Sequence, residues 1–276
     1  MKPAPTCGTL GVRGIAMDLG LTGKVALVTG SSRGIGRGIA LALAREGCDL
    51  LLTGRDGAAL EAAAQSIASN QRRAAIQVAD LREPAAPAAL VEAARREFGG
   101  LDILINNAGT TKRGDFFTLT DADWEEGYAL KFFAHMRLAR AAWPLLKERR
   151  GSLIAIGGTS GRKPEKRFTI GSSVNAAVAA FTKCLADLGK EDGVQVNCIH
   201  PSLVETERQW RRIRAEIERT GEPEAKIRER LCRETGITRF GTVEDVADLV
   251  TFILSRRATW LTGATIDLDG GEIPVL

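Results

Sequence analysis

The residues best suited to chemistry lie near the start of the chain. The run Thr29-Gly30-Ser31-Ser32-Arg33-Gly34-Ile35-Gly36 follows an apolar stretch and opens a helical pattern. Each glycine in such a loop has its own reason. Gly30 permits a tight turn, Gly34 lets backbone amides approach a diphosphate, and Gly36 lets the following helix pack close to the strand. The amino end of that helix adds N–H donors and partial positive charge, which suit an anion. Gly30, Ser32, Arg33, Gly34, Ile35 and Gly36 are therefore candidate dinucleotide contacts. The next apolar stretch ends in Thr53-Gly54-Arg55. An NAD site puts Asp or Glu near this point to bind the ribose 2′-hydroxyl. Gly54 stands there instead, and Arg55 and Arg33 offer two guanidinium groups that suit a 2′-phosphate. The expected cofactor is NADP(H). The competing reading of Arg55 is a surface arginine on a turn.

These loops need elements to position them. Short, almost continuously apolar runs at 24–29, 49–53, 74–78, 101–105, 152–156, 194–199 and 264–268 read as strands covered on both faces. Helical periodicity fills the intervals at about 35–46, 57–69, 84–98, 121–149, 173–191 and 242–255. The alternation predicts one α/β domain over 17–276: a doubly wound, Rossmann-type parallel sheet of about seven strands with helices on both faces. Residues 1–16 read as a flexible tail without the apolar core of a signal peptide. The segment 202–236, dense in both charges, interrupts the rhythm. It is either a solvated helical hairpin or a substrate lid beyond the carboxyl end of a strand.

Composition narrows the function. A net charge of +4, spread along the chain, favours anionic small molecules over nucleic acid. Five cysteines without a CxxC pair read as free thiols in a reducing cytoplasm. No apolar run reaches membrane-spanning length, and no spacing suggests metal ligands.

Taken together, the motifs resemble the classical short-chain dehydrogenases/reductases. The residues that carry the resemblance are Thr29-Gly30-x-x-x-Gly34-x-Gly36, Asp80-Leu81, Asn106-Asn107-Ala108-Gly109, and Val196-Asn197-x-x-x-Pro201-x-x-x-x-Thr206. It covers about residues 20–271. It implies that Asp80 and Leu81 border the adenine, that Asn107, Ala108 and Gly109 line the adenosine ribose, and that Pro201, Leu203, Val204 and Thr206 lie near the nicotinamide. It also implies a homodimer or homotetramer formed through helices 121–149 and 173–191, a small-molecule substrate and no metal.

The family's Asn, Ser, Tyr and Lys fall, position by position, on Lys131, Gly158, Gly171 and Asn175, with Thr159 or Ser160 reachable by a small gap at the serine. A glycine donates no side-chain proton, so the usual acid is missing. Asn and Lys have exchanged places, and a lysine kept from water can act as an acid. Tyr128, the only tyrosine, lies three residues before Lys131. Lys131, Asn175 and Tyr128 are thus the candidate catalytic residues, with Tyr128 alternatively a core or interface aromatic and Lys131 alternatively a ribose-binding or structural lysine. His200, before Pro201, reads as structural. Three functions compete: an NADP(H)-dependent oxidoreductase with an unusual proton source, acting on a carbonyl or activated double bond; a silent NADP(H)-binding homologue; and the fold without a nucleotide. Apolar residues around 203–210 and the arginines beyond them allow a hydrophobic substrate with an anionic tail.

Overall fold

The structure, a computed structural model, describes residues 18–69 and 71–274. The expected tail at 1–16 lies outside the described residues. Seven parallel strands form one sheet: β1 (Val25–Thr29), β2 (Asp49–Gly54), β3 (Ala74–Val78), β4 (Ile103–Asn106), β5 (Ser152–Ile156), β6 (Gln195–Pro201) and β7 (Thr265–Leu268). Their order is β3-β2-β1-β4-β5-β6-β7. The order reverses between β1 and β4, so the chain leaves adjacent strand ends in opposite directions and opens a crevice there.

Strand alternation assigns the two faces. Ala26, Val28, Leu50, Leu52, Ile103 and Ile105 pack with Ile39, Leu43, Leu60, Val246 and Val250. Those residues come from α1 (Gly34–Arg45), α2 (Gly57–Ala68) and α9 (Val243–Leu254). Val25, Leu27, Leu51, Leu104, Leu153 and Val196 turn to the other face, against Leu90, Leu138, Leu145 and Ala186. These belong to α3 (Ala86–Phe98), α5 (Ala134–Arg149) and α6 (Thr169–Asp192). Burial on both faces is why the five inner strands read as unbroken apolar runs, whereas the edge strands β3 and β7 are only partly covered.

The stretch 121–149 is not one continuous α-helix. α4 (Asp121–Tyr128) starts at a Thr120–Asp123 capping box, then the π-helical turn Ala129–Phe133 intervenes before α5. Such an extra-residue turn re-aims the side chains it carries, and here it carries Lys131. α6 begins at Thr169, four residues before the periodicity suggests. The segment 202–236 is a helical hairpin of α7 (Glu207–Thr220) and α8 (Glu224–Thr235). Its Ile213 and Ile227 form a small core with Ile237 and Phe240, which follow the hairpin.

Candidate functional site

The crevice is built from the carboxyl ends of β1, β4, β5 and β6. Gly30 and Gly34 have φ of 65° and 55°, a region most side chains avoid. A Cβ on Gly36 would stand 2.5 Å from Asn107 Nδ2 and run into the Gly30 carbonyl. This close approach is the packing role expected of the third glycine. Thr29 ties the loop to the β4 end: its Oγ1 donates to the Ile105 carbonyl and accepts from the Asn107 and Ala108 N–H groups at 2.9 and 3.0 Å. Asn107 Nδ2 donates to the Thr29 carbonyl at 2.8 Å. Asn107 thus holds the loop in shape from beneath.

No side chain caps the first turn of α1, whose N-cap Arg33 is extended. Its N–H groups face the crevice mouth without a side-chain acceptor. Arg33 and Arg55 are exposed, and neither forms an ion pair among the described residues. Ser32 Oγ lies beside Gly54, 3.5 Å from where a Cβ would be. Asp80 is gripped by Arg82, and the hydrogen bond to that guanidinium holds its carboxyl below the usual range. Leu81 is buried beside it.

The crevice deepens into a cavity of about 650 Å³. Its lining includes Ile35 and Thr206 at the glycine loop, Lys131, Gly158 and Asn175 in the middle, and Arg113, Arg208 and Arg212 at the far side. Pro201, Leu203 and Val204 also line it. Lys131 Nζ donates to the Gly157 carbonyl at 3.2 Å, and the aliphatic chain lies against Gly109. Loss of water, then the like charge of Arg208, pulls its pKa down to about 8. Asn175 is 97% buried, being 3% exposed. Its Nδ2 donates to Ser160 Oγ at 2.9 Å, but its Oδ1 has no partner.

Two histidines brace this centre. The Gly158 N–H donates to His200 Nδ1 at 2.7 Å, which fixes the same peptide group whose carbonyl, that of Gly157, receives Lys131. Burial holds His200 down at about 4, so its ring is neutral and able to accept. His135, four residues after Lys131, has Nε2 3.1 Å from the Ala108 carbonyl, and burial holds it down at about 3.

Comparison with known proteins supplies the family. The family described as Enoyl-(Acyl carrier protein) reductase matches residues 30–272. The 3-oxoacyl-(acyl-carrier-protein) reductase FabG of Escherichia coli is 31% identical over 253 residues, 90% of this chain and 97% of that protein. The chain belongs to the short-chain dehydrogenase/reductase family. Among solved structures, the L-sorbose reductase of Gluconobacter frateurii, complexed with NADPH and L-sorbose, is 33% identical with a TM-score of 0.91. The match covers 94% of this chain and 100% of that one. A short-chain dehydrogenase from Burkholderia cenocepacia in complex with NADP is 30% identical, covers 91% of this chain and 98% of its own, and has a TM-score of 0.81. This short-chain dehydrogenase/reductase keeps the seven-stranded doubly wound sheet expected from its sequence.

The structure brings Lys131 and Asn175 to one cavity but not Tyr128. Tyr128 packs its ring edge-on against Phe132, with centroids 6.2 Å apart, in an aromatic group that continues to Phe181. The π-helical turn between Tyr128 and α5 breaks the spacing that would have aligned it with Lys131. Sequence reasoning did not single out Phe168, Arg113 or Gln209. Phe168 is buried, and its ring fills the space a Cβ on Gly171 would enter. Arg113 lies 3.7 Å over that ring and holds Glu165 through two hydrogen bonds. No local pattern announces these residues, because Arg113 and Phe168 meet from separate loops and Gln209 reaches the cavity from α7. Among the described residues no group of three or more His, Cys, Asp or Glu could hold a metal, and no helix is long and apolar enough to cross a membrane.

Proposed function

We propose that the chain is an NADP(H)-dependent oxidoreductase acting on a carbonyl or activated double bond, in which Lys131 takes the place of the family's tyrosine acid. The observation that carries this is the Lys131 ammonium: it lines the cavity, has one carbonyl as its hydrogen-bond partner, and is pulled down to about 8 by loss of water. An acid with a pKa near the working pH is the efficient choice.

The residues fit the cofactor. The glycine turn and the uncapped start of α1 suit a diphosphate. Arg33 and Arg55 suit a 2′-phosphate. The orphaned Asn175 Oδ1 suits a ribose hydroxyl, because a buried acceptor without a donor is costly until one arrives. Bound NADPH supplies hydride. Lys131 Nζ holds the proton destined for the substrate atom that gains negative charge, and the His200–Gly158 hydrogen bond keeps the Gly157 carbonyl in place to orient that ammonium. The α7–α8 hairpin acts as the lid, its Arg208, Gln209 and Arg212 side facing the cavity. Self-association would use α5 and α6, to be checked by light scattering.

The test is an NADPH fluorescence titration followed by an NADPH-oxidation screen over ketones and enones. Binding with turnover that Lys131→Ala abolishes supports the proposal. Turnover unchanged by Lys131→Ala overturns it. One observation favours a second reading, a silent NADP(H)-binding homologue: Phe168 occupies the room next to Gly171 that an acid side chain would need. Binding without turnover across the screen selects that reading.

A further inference from the structure

The α7 wall of the cavity carries charge that the fold leaves unanswered. Arg208 and Arg212 are one turn apart on α7, and both line the cavity. Neither forms an ion pair among the described residues. Elsewhere in the same hairpin Arg219 holds Glu216, Arg230 holds Glu216 and Glu222, and Arg228 holds Glu205. The contrast is sharpest at Arg208. Partial withdrawal from water lowers its pKa, and the charges that act on it, Arg113, Arg211 and Arg212, are all cations. Arg212 senses Glu165, Glu234 and Glu216 from a distance but touches none of them. Between the two arginines, Gln209 Nε2 is buried with no partner and also belongs to the cavity wall.

Like charges gathered in a concave site repel one another, and a buried donor without an acceptor is unfavourable. An anion relieves both at once, accepting from the guanidinium fork and the amide together. Glu165, Glu234 and Glu272 also line the cavity, Glu165 being held by Arg113, and its apolar part is supplied by Ile35, Phe168, Leu203, Val204 and Leu231. That part suits hydrocarbon, and Lys131 lies close enough for the Arg208 charge to act on it.

We infer that Arg208, helped by Gln209 and Arg212, receives a carboxylate or phosphate on one end of an apolar substrate, leaving the reacting end toward Lys131. This rests on the oxidoreductase reading for the word substrate, but the anion site itself does not.

The test uses the full chain, with and without NADP⁺, and calorimetric titration with 4-oxodecanoate and with its methyl ester. The two ligands share a ketone and a chain and differ in one charge. The acid is expected to bind about tenfold or more tightly than the ester, as charge-assisted bonds to a carboxylate would give. Arg208→Gln with Arg212→Gln should erase that preference, while Arg208→Lys with Arg212→Lys should keep most of it. Equal binding of acid and ester overturns the inference. So does binding of neither at millimolar levels, or a preference that survives the double glutamine variant. NADPH affinity is measured on the same proteins. If the double glutamine variant loses NADPH affinity but keeps the acid preference, the arginines serve the cofactor diphosphate and the inference falls. If the acid preference holds while no carbonyl is ever reduced, the oxidoreductase reading falls and the anion site stands.

Discussion

Replacing Lys131 by methionine should make the protein more stable at neutral pH. The ammonium is taken from water and lies within reach of the Arg208 charge, and its pKa drops from the ordinary lysine value of 10.5 to about 8. At ~1.4 kcal/mol per unit, that is a folding penalty of ~3 kcal/mol. The cavity face of the side chain still reaches water, and the hydrogen bond to Gly157 is lost on substitution, so the net gain is about 2 kcal/mol. For a chain of this size that corresponds to about 4–6 °C in Tm. The sign follows from proton linkage. The folded pKa lies below the unfolded one, so the unfolded chain binds more protons between about 8 and 10.5, and wild-type stability rises with pH across that window. Below about 8 both states are protonated and the penalty is fully present. The assay is thermal unfolding of wild type and Lys131→Met without nucleotide, at neutral pH and again at about pH 10, where the gap should close to a small fraction. A variant that melts lower at neutral pH, or a gap that does not change with pH, would refute a desolvated ammonium and with it the proposed acid.

Three further outcomes follow from the same geometry. Because an acid must carry its proton, kcat/KM for reduction should be level at neutral pH and fall as pH rises through about 8, read from a pH–rate profile of NADPH oxidation. Gly36→Ala should abolish NADPH binding in a fluorescence titration, since its Cβ would press on the Gly30 backbone and on Asn107 Nδ2; retained binding would count against the glycine loop as the diphosphate site. Arg33→Ala with Arg55→Ala should lower the preference for NADPH over NADH by about tenfold or more, as measured by the two dissociation constants.

The sheet and its glycine loop were legible in the sequence because local signals and tertiary structure agree there. Strands buried on both faces must be apolar throughout, Gly30 and Gly34 answer to backbone geometry that few other residues tolerate, and Gly36 answers to a close approach that no Cβ fits. Lys131 and Asn175 could be picked out because two exchanged residue types stand at positions the resemblance marks. Their surroundings could not. An extra residue in a helical turn leaves no trace in hydrophobic periodicity, so the turn at Ala129–Phe133 and the departure of Tyr128 toward Phe132 stayed hidden. Phe168, Arg113 and Glu165 form a stacked and ion-paired group. They join loops more than fifty positions apart along the chain, a distance over which a single sequence carries no pairing signal. The hairpin at 202–236 showed its charge but not which arginines it would leave unpaired, because that depends on which carboxylates the turn at Gly221 brings back.

The ring of Phe168 has a consequence for which side chains positions 168 and 171 tolerate together. A tyrosine at position 171 would meet an aromatic ring already packed there, so that substitution alone would harm folding. Shrinking Phe168 first would strip Arg113 of its stacking partner and leave a void, which is also unfavourable. Each single substitution costs stability, and because the two positions touch, the pair should cost less than the sum of the two. The aromatic ring therefore couples positions 168 and 171, so that neither side chain can be exchanged without regard to the other.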